Sequence, residues 1–174
     1  MSIPNSKYLK IFCAFYSPLL WASVVLFCLS LYFPVFINEQ ADYSTKSFHG
    51  EGILMLLLGF CSAGSSSFFS YGSNIAYIIL WASFYKAKKY KFSYFKLFLI
   101  LYAPLAALWF PFSKVPLNEG GHIGAVKEVY SGYYLWTASM FLMSLSAIAR
   151  ILKTKFAEKR ISCNISKTDI HLAP

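Results

Sequence analysis

Charge is what this sequence has least of. Only 13% of its 174 residues are charged, about half the share carried by a soluble domain, while 57% are hydrophobic. The shortage is concentrated. Four stretches, 11–38, 52–85, 97–113 and 129–149, contain no Asp, Glu, Lys, Arg or His at all. A helix needs about 17–25 such residues to cross a hydrocarbon core of about 30 Å, and each stretch reaches or exceeds the lower bound. The composition therefore points to an all-α membrane protein with four transmembrane helices.

Other absences narrow the chemistry. The four cysteines form no CxxC pair, and none falls in the two connections expected outside the membrane. That removes a disulfide framework and a thiolate metal or redox site. There is no HExxH, P-loop, GxGxxG or nucleophile elbow, and the serines of 62–73 have no His or Lys base nearby in sequence. No ionisable acid, base or histidine lies inside any of the four runs, which argues against a proton- or cation-coupled transporter. The chain reads as a non-enzyme without a cofactor.

What charge there is falls in a pattern. The net charge is +9, from 16 Lys and Arg against 7 Asp and Glu. Thirteen of the basic residues lie before the first run, between the second and third, or after the fourth; three lie in the other two connections. That bias places both termini and the Lys86–Lys96 loop in the cytoplasm. It predicts anionic lipid at the cytoplasmic face as a partner. Tyr90 and Tyr94 interleave with lysines as in some nucleic-acid binders, but between two spans they read as interface anchors, and no nucleic-acid partner is expected.

The expected organisation is a single integral domain over 1–160, followed by a flexible cytoplasmic tail, 161–174. Transmembrane helix one covers about 11–36, with Pro18 and Pro34 near its ends. The run is too long for a cleavable signal peptide, and no small-x-small site follows it. Helix three covers about 97–112 and helix four about 130–151. Thr137 and Ser144, like Ser139 and Ser146, recur every seven residues and suit close helix packing.

The run 52–85 is the difficult one. It would reach roughly 51 Å as one helix, too long for one simple crossing. Its charges place one end outside and the other inside, so it crosses once. A helix at about 66–85 ends on the Trp81–Tyr85 aromatic belt and leaves 53–64 as a half-helix or re-entrant piece, turning at the Ser/Gly-rich 62–67. The alternative is one long bent or tilted helix.

Candidate sites are few. Asn74 is the most polar residue at depth, roughly 16 Å from Tyr85, and an intramembrane Asn most commonly bonds another helix. His49, Glu51, Glu119 and His122 offer ligand types for zinc on two external loops, with nothing in their spacing to enforce it. Ser66, Asn118, Glu119 and Gly121 join Asn74 as candidate packing or binding positions, where the Ser/Gly turn and the Asn118–His122 loop could meet.

Asn118-Glu119-Gly120-Gly121, then Gly132-Tyr133-Tyr134-Leu135-Trp136 and Ser139, resemble a loosely defined family of small uncharacterised bacterial four-helix inner-membrane proteins. Tyr71-Gly72-Ser73-Asn74-Ile75 stands where that family often has Trp-Leu-Ala-Asn-Pro, keeping the Asn alone. The resemblance spans about 52–148 and implies a bacterial inner-membrane location; it implies no activity. The function expected is structural or interactive, through another membrane protein or a homo-oligomer, or envelope-associated, in sensing or protecting the envelope. Alternatives are an immunity protein against a pore-forming toxin, a small-solute or ion permeation unit, or a membrane enzyme using the external acids.

Overall fold

The computed structural model describes residues 16–38, 53, 66–86, 93–116 and 123–170. Four helices dominate: α1 Tyr16–Tyr32, α2 Ser67–Lys86, α3 Tyr94–Trp109 and α4 Ser131–Ile170. Two pass as membrane spans by length and composition: α3 extended to Phe112, and Ser131–Ala157 of α4. The apolar part of α1, Ser17–Tyr32, is shorter, and α2 is diluted by its serines.

Prolines set two of the helix ends. Helix one was expected to reach 36, but α1 stops at Tyr32, just before Phe33 and Pro34, because the ring of Pro34 clashes with the preceding turn. The chain then straightens into β1, Phe36–Asn38. At the end of α3, Pro111 tightens the helix into a 3-10 turn, Phe110–Phe112, closed by Ser113, whose N–H and hydroxyl both donate to the Phe110 carbonyl. The chain then leaves as β2, Lys114–Pro116.

These strands correct the expectation that the connections are plain loops. β3, Ile123–Val129, is the centre of a three-stranded antiparallel sheet in the order β1-β3-β2. Phe36 faces Val129 and Ile37 faces Glu128; a bulge then brings Asn38 opposite Val126. On the other edge Val115 faces Gly124. The sheet packs on the ends of the helices through Val35, Phe110, Val115 and Tyr133, with Phe36, Val126 and Val129 partly buried against them.

The helices alternate in direction. The end of α1, the end of α3 and the start of α4 all lie at the sheet, and the Lys114 N–H donates to Ser66 beside the start of α2 at 2.7 Å. α4 packs along both α1 and α3, while α2 packs chiefly on α3. Where α1 meets α4 the backbones nearly touch. The Gly132 N–H donates to the Pro34 carbonyl at 2.9 Å, and a Cβ on Gly132 would lie 2.6 Å from the carbonyl oxygens of both Phe33 and Pro34.

α2 occupies almost the range expected for helix two. α3 starts three residues before the expected 97. α4 runs to Ile170, beyond 151 and beyond the extension to about Arg160 that the sequence allows, and so takes in 161–170, for which a flexible tail was expected. The half-helix or re-entrant piece at 53–64 lies outside the described residues, apart from a helical Ile53.

Candidate functional site

The interior of the bundle is polar along one line. Ser67, Ser70, Ser73, Asn74 and Tyr77 recur at three- and four-residue steps on α2, so they share one face, and all are buried. Further along the same face the residues become apolar, at Leu80 and Phe84. Ser23 on α1 and Thr137, Ser139 and Ser146 on α4 are buried as well.

Asn74 sits in the middle of this line. Its Oδ1 accepts from Trp136 Nε1 at 2.7 Å. An indole N–H can only donate, so the bond fixes which end of the amide faces α4. The indole is wedged against Phe110, edge-to-face at 5.9 Å between ring centres, and beside Tyr133 at 6.3 Å. α2, α3 and α4 thus meet at one tryptophan. A turn further along α2, the Tyr77 hydroxyl lies 2.9 Å from Ser23 Oγ, and Ser23 donates its own proton to the Ser139 carbonyl at 2.9 Å. Ser23 has only one proton to give, so Tyr77 must donate to Ser23. The relay ties α2 to α1 and α1 to α4. The ring of Tyr77 stacks on Phe27 at 4.5 Å.

A third connection repairs a defect. Pro104 lies within α3 and has no N–H for the Ile100 carbonyl four residues back. Ser144 on α4 supplies the missing donor, its hydroxyl 2.7 Å from that oxygen. Without it, a carbonyl at a fully buried residue would be unpaired.

The chemistry open to this line is limited. Its side chains are hydroxyls, one amide and one indole, none of which carries charge near neutral pH or serves as a general base unaided. Apart from the Asn74–Trp136 and Ser23–Tyr77 pairs, their hydroxyls donate to backbone carbonyls, as Ser73 does to Ser70 and Ser139 to Trp136. Ser70 Oγ and Thr137 Oγ1 are the buried hydroxyls without a hydrogen-bond partner among the described residues. No group of three His, Cys, Asp or Glu able to hold a metal occurs among the described residues.

Of the positions singled out in the sequence, Asn74 is at a helix–helix contact, and Ser66 accepts from the backbone of β2. His49, Glu51, Asn118, Glu119, Gly121 and His122 lie outside the described residues. The residues that complete the network, Trp136, Tyr77, Ser23 and Ser144, were not picked out as a group. One signal was available: Trp136 precedes Arg150 by about the distance that Asn74 precedes Lys86, which puts donor and acceptor at similar depth. Compared with known proteins, the chain matches no family model, no curated protein and no solved structure.

Proposed function

We propose that this chain is an integral membrane protein whose four helices all cross the bilayer, with both termini on the cytoplasmic side of a bacterial inner membrane. Its role is structural or interactive, without chemistry of its own. The observation that carries this reading is the large apolar side chains that all four helices turn outward. Outward-facing positions are large and apolar: Trp21 and Val25 on α1, Ile75 and Ile78 on α2, Leu101 and Leu105 on α3, Phe141 and Leu145 on α4. Inward-facing positions include many small or hydroxylated residues, among them Ser23, Ser70, Ser73, Ala103, Ala107 and Ser139, beside larger apolar ones such as Leu80, Ile100, Met140 and Met143.

A water-soluble bundle covers its outer face with polar residues, because burying apolar surface drives its folding at about 25 cal/mol per Å². Apolar patches larger than a few hundred Å² are not left facing water on a monomer. In a bilayer the apolar face costs nothing, and helices associate through close packing and hydrogen bonds between small polar residues. This supports α2 as a crossing helix despite its composition, since its buried serines never meet lipid. The pairing of β1, β2 and β3 at one end of the bundle also suits the edge of a bilayer, where backbone groups need partners.

Cysteine substitutions give the test. With the native cysteines removed, labels placed at Tyr90 and Pro174 should react with a membrane-impermeant maleimide only after the cells are opened. A label at Lys46 should react in intact cells. Reaction at position 90 from outside would overturn the orientation, and loss of the protein from membranes washed in alkaline carbonate would overturn membrane insertion itself. Solute flux through the pure protein in liposomes would replace the structural role with permeation.

A further inference from the structure

We propose that the end of the bundle opposite the sheet, where Lys96 of α3 and Arg150 of α4 come together beside the end of α2, binds the phosphate of an anionic phospholipid headgroup. The inference rests on the membrane reading above and adds a defined site to it.

The geometry starts from Arg150. Its Nη1 donates to the Phe84 carbonyl at 2.8 Å, and its guanidinium lies 4.9 Å over the Phe84 ring, so the side chain is held across the last turns of α2. The bond from Ser144 to Ile100 fixes how far along the bundle α3 and α4 stand relative to one another. From that level, Lys96 lies four residues back along α3 and Arg150 six residues on along α4. At the helical rise, these are about 6 Å and about 9 Å in the same direction. The two cations therefore share a level, and the charge of Arg150 acts on Lys96. Lys153 follows one turn later on α4.

Two like charges delivered to one place by different helices repel each other. A bound anion turns that cost into attraction, and a guanidinium matches phosphate oxygens in a fork. The start of α3 adds to the field. Its first turn has no acidic residue, and Ser93 makes no side-chain cap bond, so the positive end of the helix dipole and its first N–H groups face the same level.

The surroundings favour a lipid over a free ion. Immediately beside Lys96, Phe95 and Phe98 are each 58% exposed, and Leu101 continues the apolar strip along the outside of α3. A headgroup at Lys96 and Arg150 would lay its acyl chains along that strip. Inorganic phosphate would gain nothing from it.

The test uses the full chain in detergent micelles, titrated with phosphatidylglycerol or phosphatidylcholine and read by native mass spectrometry. Phosphatidylglycerol should be retained preferentially. Lys96→Gln should weaken its retention about fivefold, the worth of one basic residue near a membrane surface, while Lys127→Gln, in the sheet at the other end, should not. Arg150→Gln should have at least as large an effect, and Lys96→Gln carries the test if that variant does not fold. Equal retention of the two lipids, wild-type retention by Lys96→Gln, or displacement of phosphatidylglycerol by millimolar inorganic phosphate would each overturn the proposal. Carbonate extraction keeps the two readings apart: a protein that stays in the membrane but shows no preference for anionic lipid refutes only this site.

Discussion

Replacing Ser144 by alanine should be unusually costly, and the cost should depend on a proline in another helix. Side-chain hydrogen bonds between membrane helices average about 0.6 kcal/mol, because a lost partner is commonly replaced. Here replacement is blocked. The Ile100 carbonyl lacks its regular helical donor, since residue 104 is proline, and Ile100 is 1% exposed, so water cannot reach it. Leaving a buried carbonyl unpaired costs about 1–3 kcal/mol, so Ser144→Ala should lose about 1.5–2 kcal/mol. In a Pro104→Ala background the new amide can close the helical bond to Ile100, and Ser144→Ala should then cost under about 0.5 kcal/mol. The coupling, about 1–1.5 kcal/mol, is well above the error of additivity for independent sites. Reversible unfolding in mixed micelles, followed by tryptophan fluorescence, measures all four corners of the cycle. Equal costs for Ser144→Ala in the two backgrounds would refute the argument.

Gly132→Ala should be among the most damaging single changes, losing at least about 2 kcal/mol, because the new methyl meets two backbone oxygens that cannot swing aside. A lowered melting temperature in detergent would show it. Gly72→Ala places its methyl against the Tyr102 hydroxyl, which donates to the Phe69 carbonyl at 2.7 Å; Tyr102→Phe should recover part of the loss, and a Gly72→Ala penalty unchanged by it would show that the crowding lies elsewhere. Asn74→Leu should leave the Trp136 N–H unpaired at a cost of about 1–2 kcal/mol. It should also move the indole N–H resonance of Trp136 upfield, and an unmoved resonance would mean that the bond is absent in solution.

Much of the helical architecture was readable because charge is confined to a few short stretches between long apolar runs. Runs without charge marked α3 and the first part of α4 to within a few residues, counting about twenty residues back from the Trp81–Tyr85 belt marked α2, and the basic residues between them gave an alternating order. That pattern fails as a guide where local backbone chemistry takes over. Pro34 ended α1 early, although a proline inside a membrane helix can be tolerated when a neighbour supplies a donor. Pro104 shows that case, with Ser144 as the donor. The difference lies in a side chain more than forty residues away, which no local window contains.

The sheet was hidden for a similar reason. β1 and β2 are three residues each and β2 ends in proline; β3 is long enough, but with Lys127 and Glu128 side by side it lacks the alternation of a recognisable strand. Only the meeting of three helix ends makes them pair. Asn74 was legible as a helix–helix contact from its type and depth. Its partner was not, because Trp136 belongs equally well to an aromatic belt. Arg150 was counted only as one more cytoplasmic charge, since nothing in its neighbourhood in sequence tells that it reaches across to Phe84.

The central claim is that lipid, not water, surrounds the apolar outer face. Spin labels at Ile78, Leu105 and Leu145, with Ser73, Ala106 and Ser146 as interior controls, measure it directly in bilayers through collision with oxygen and with a water-soluble nickel chelate. The three outward positions should collide freely with oxygen and hardly at all with the chelate, and the interior positions should be shielded from both. Strong collision with the chelate at Ile78, Leu105 and Leu145 would mean that these residues face water, and would contradict the account.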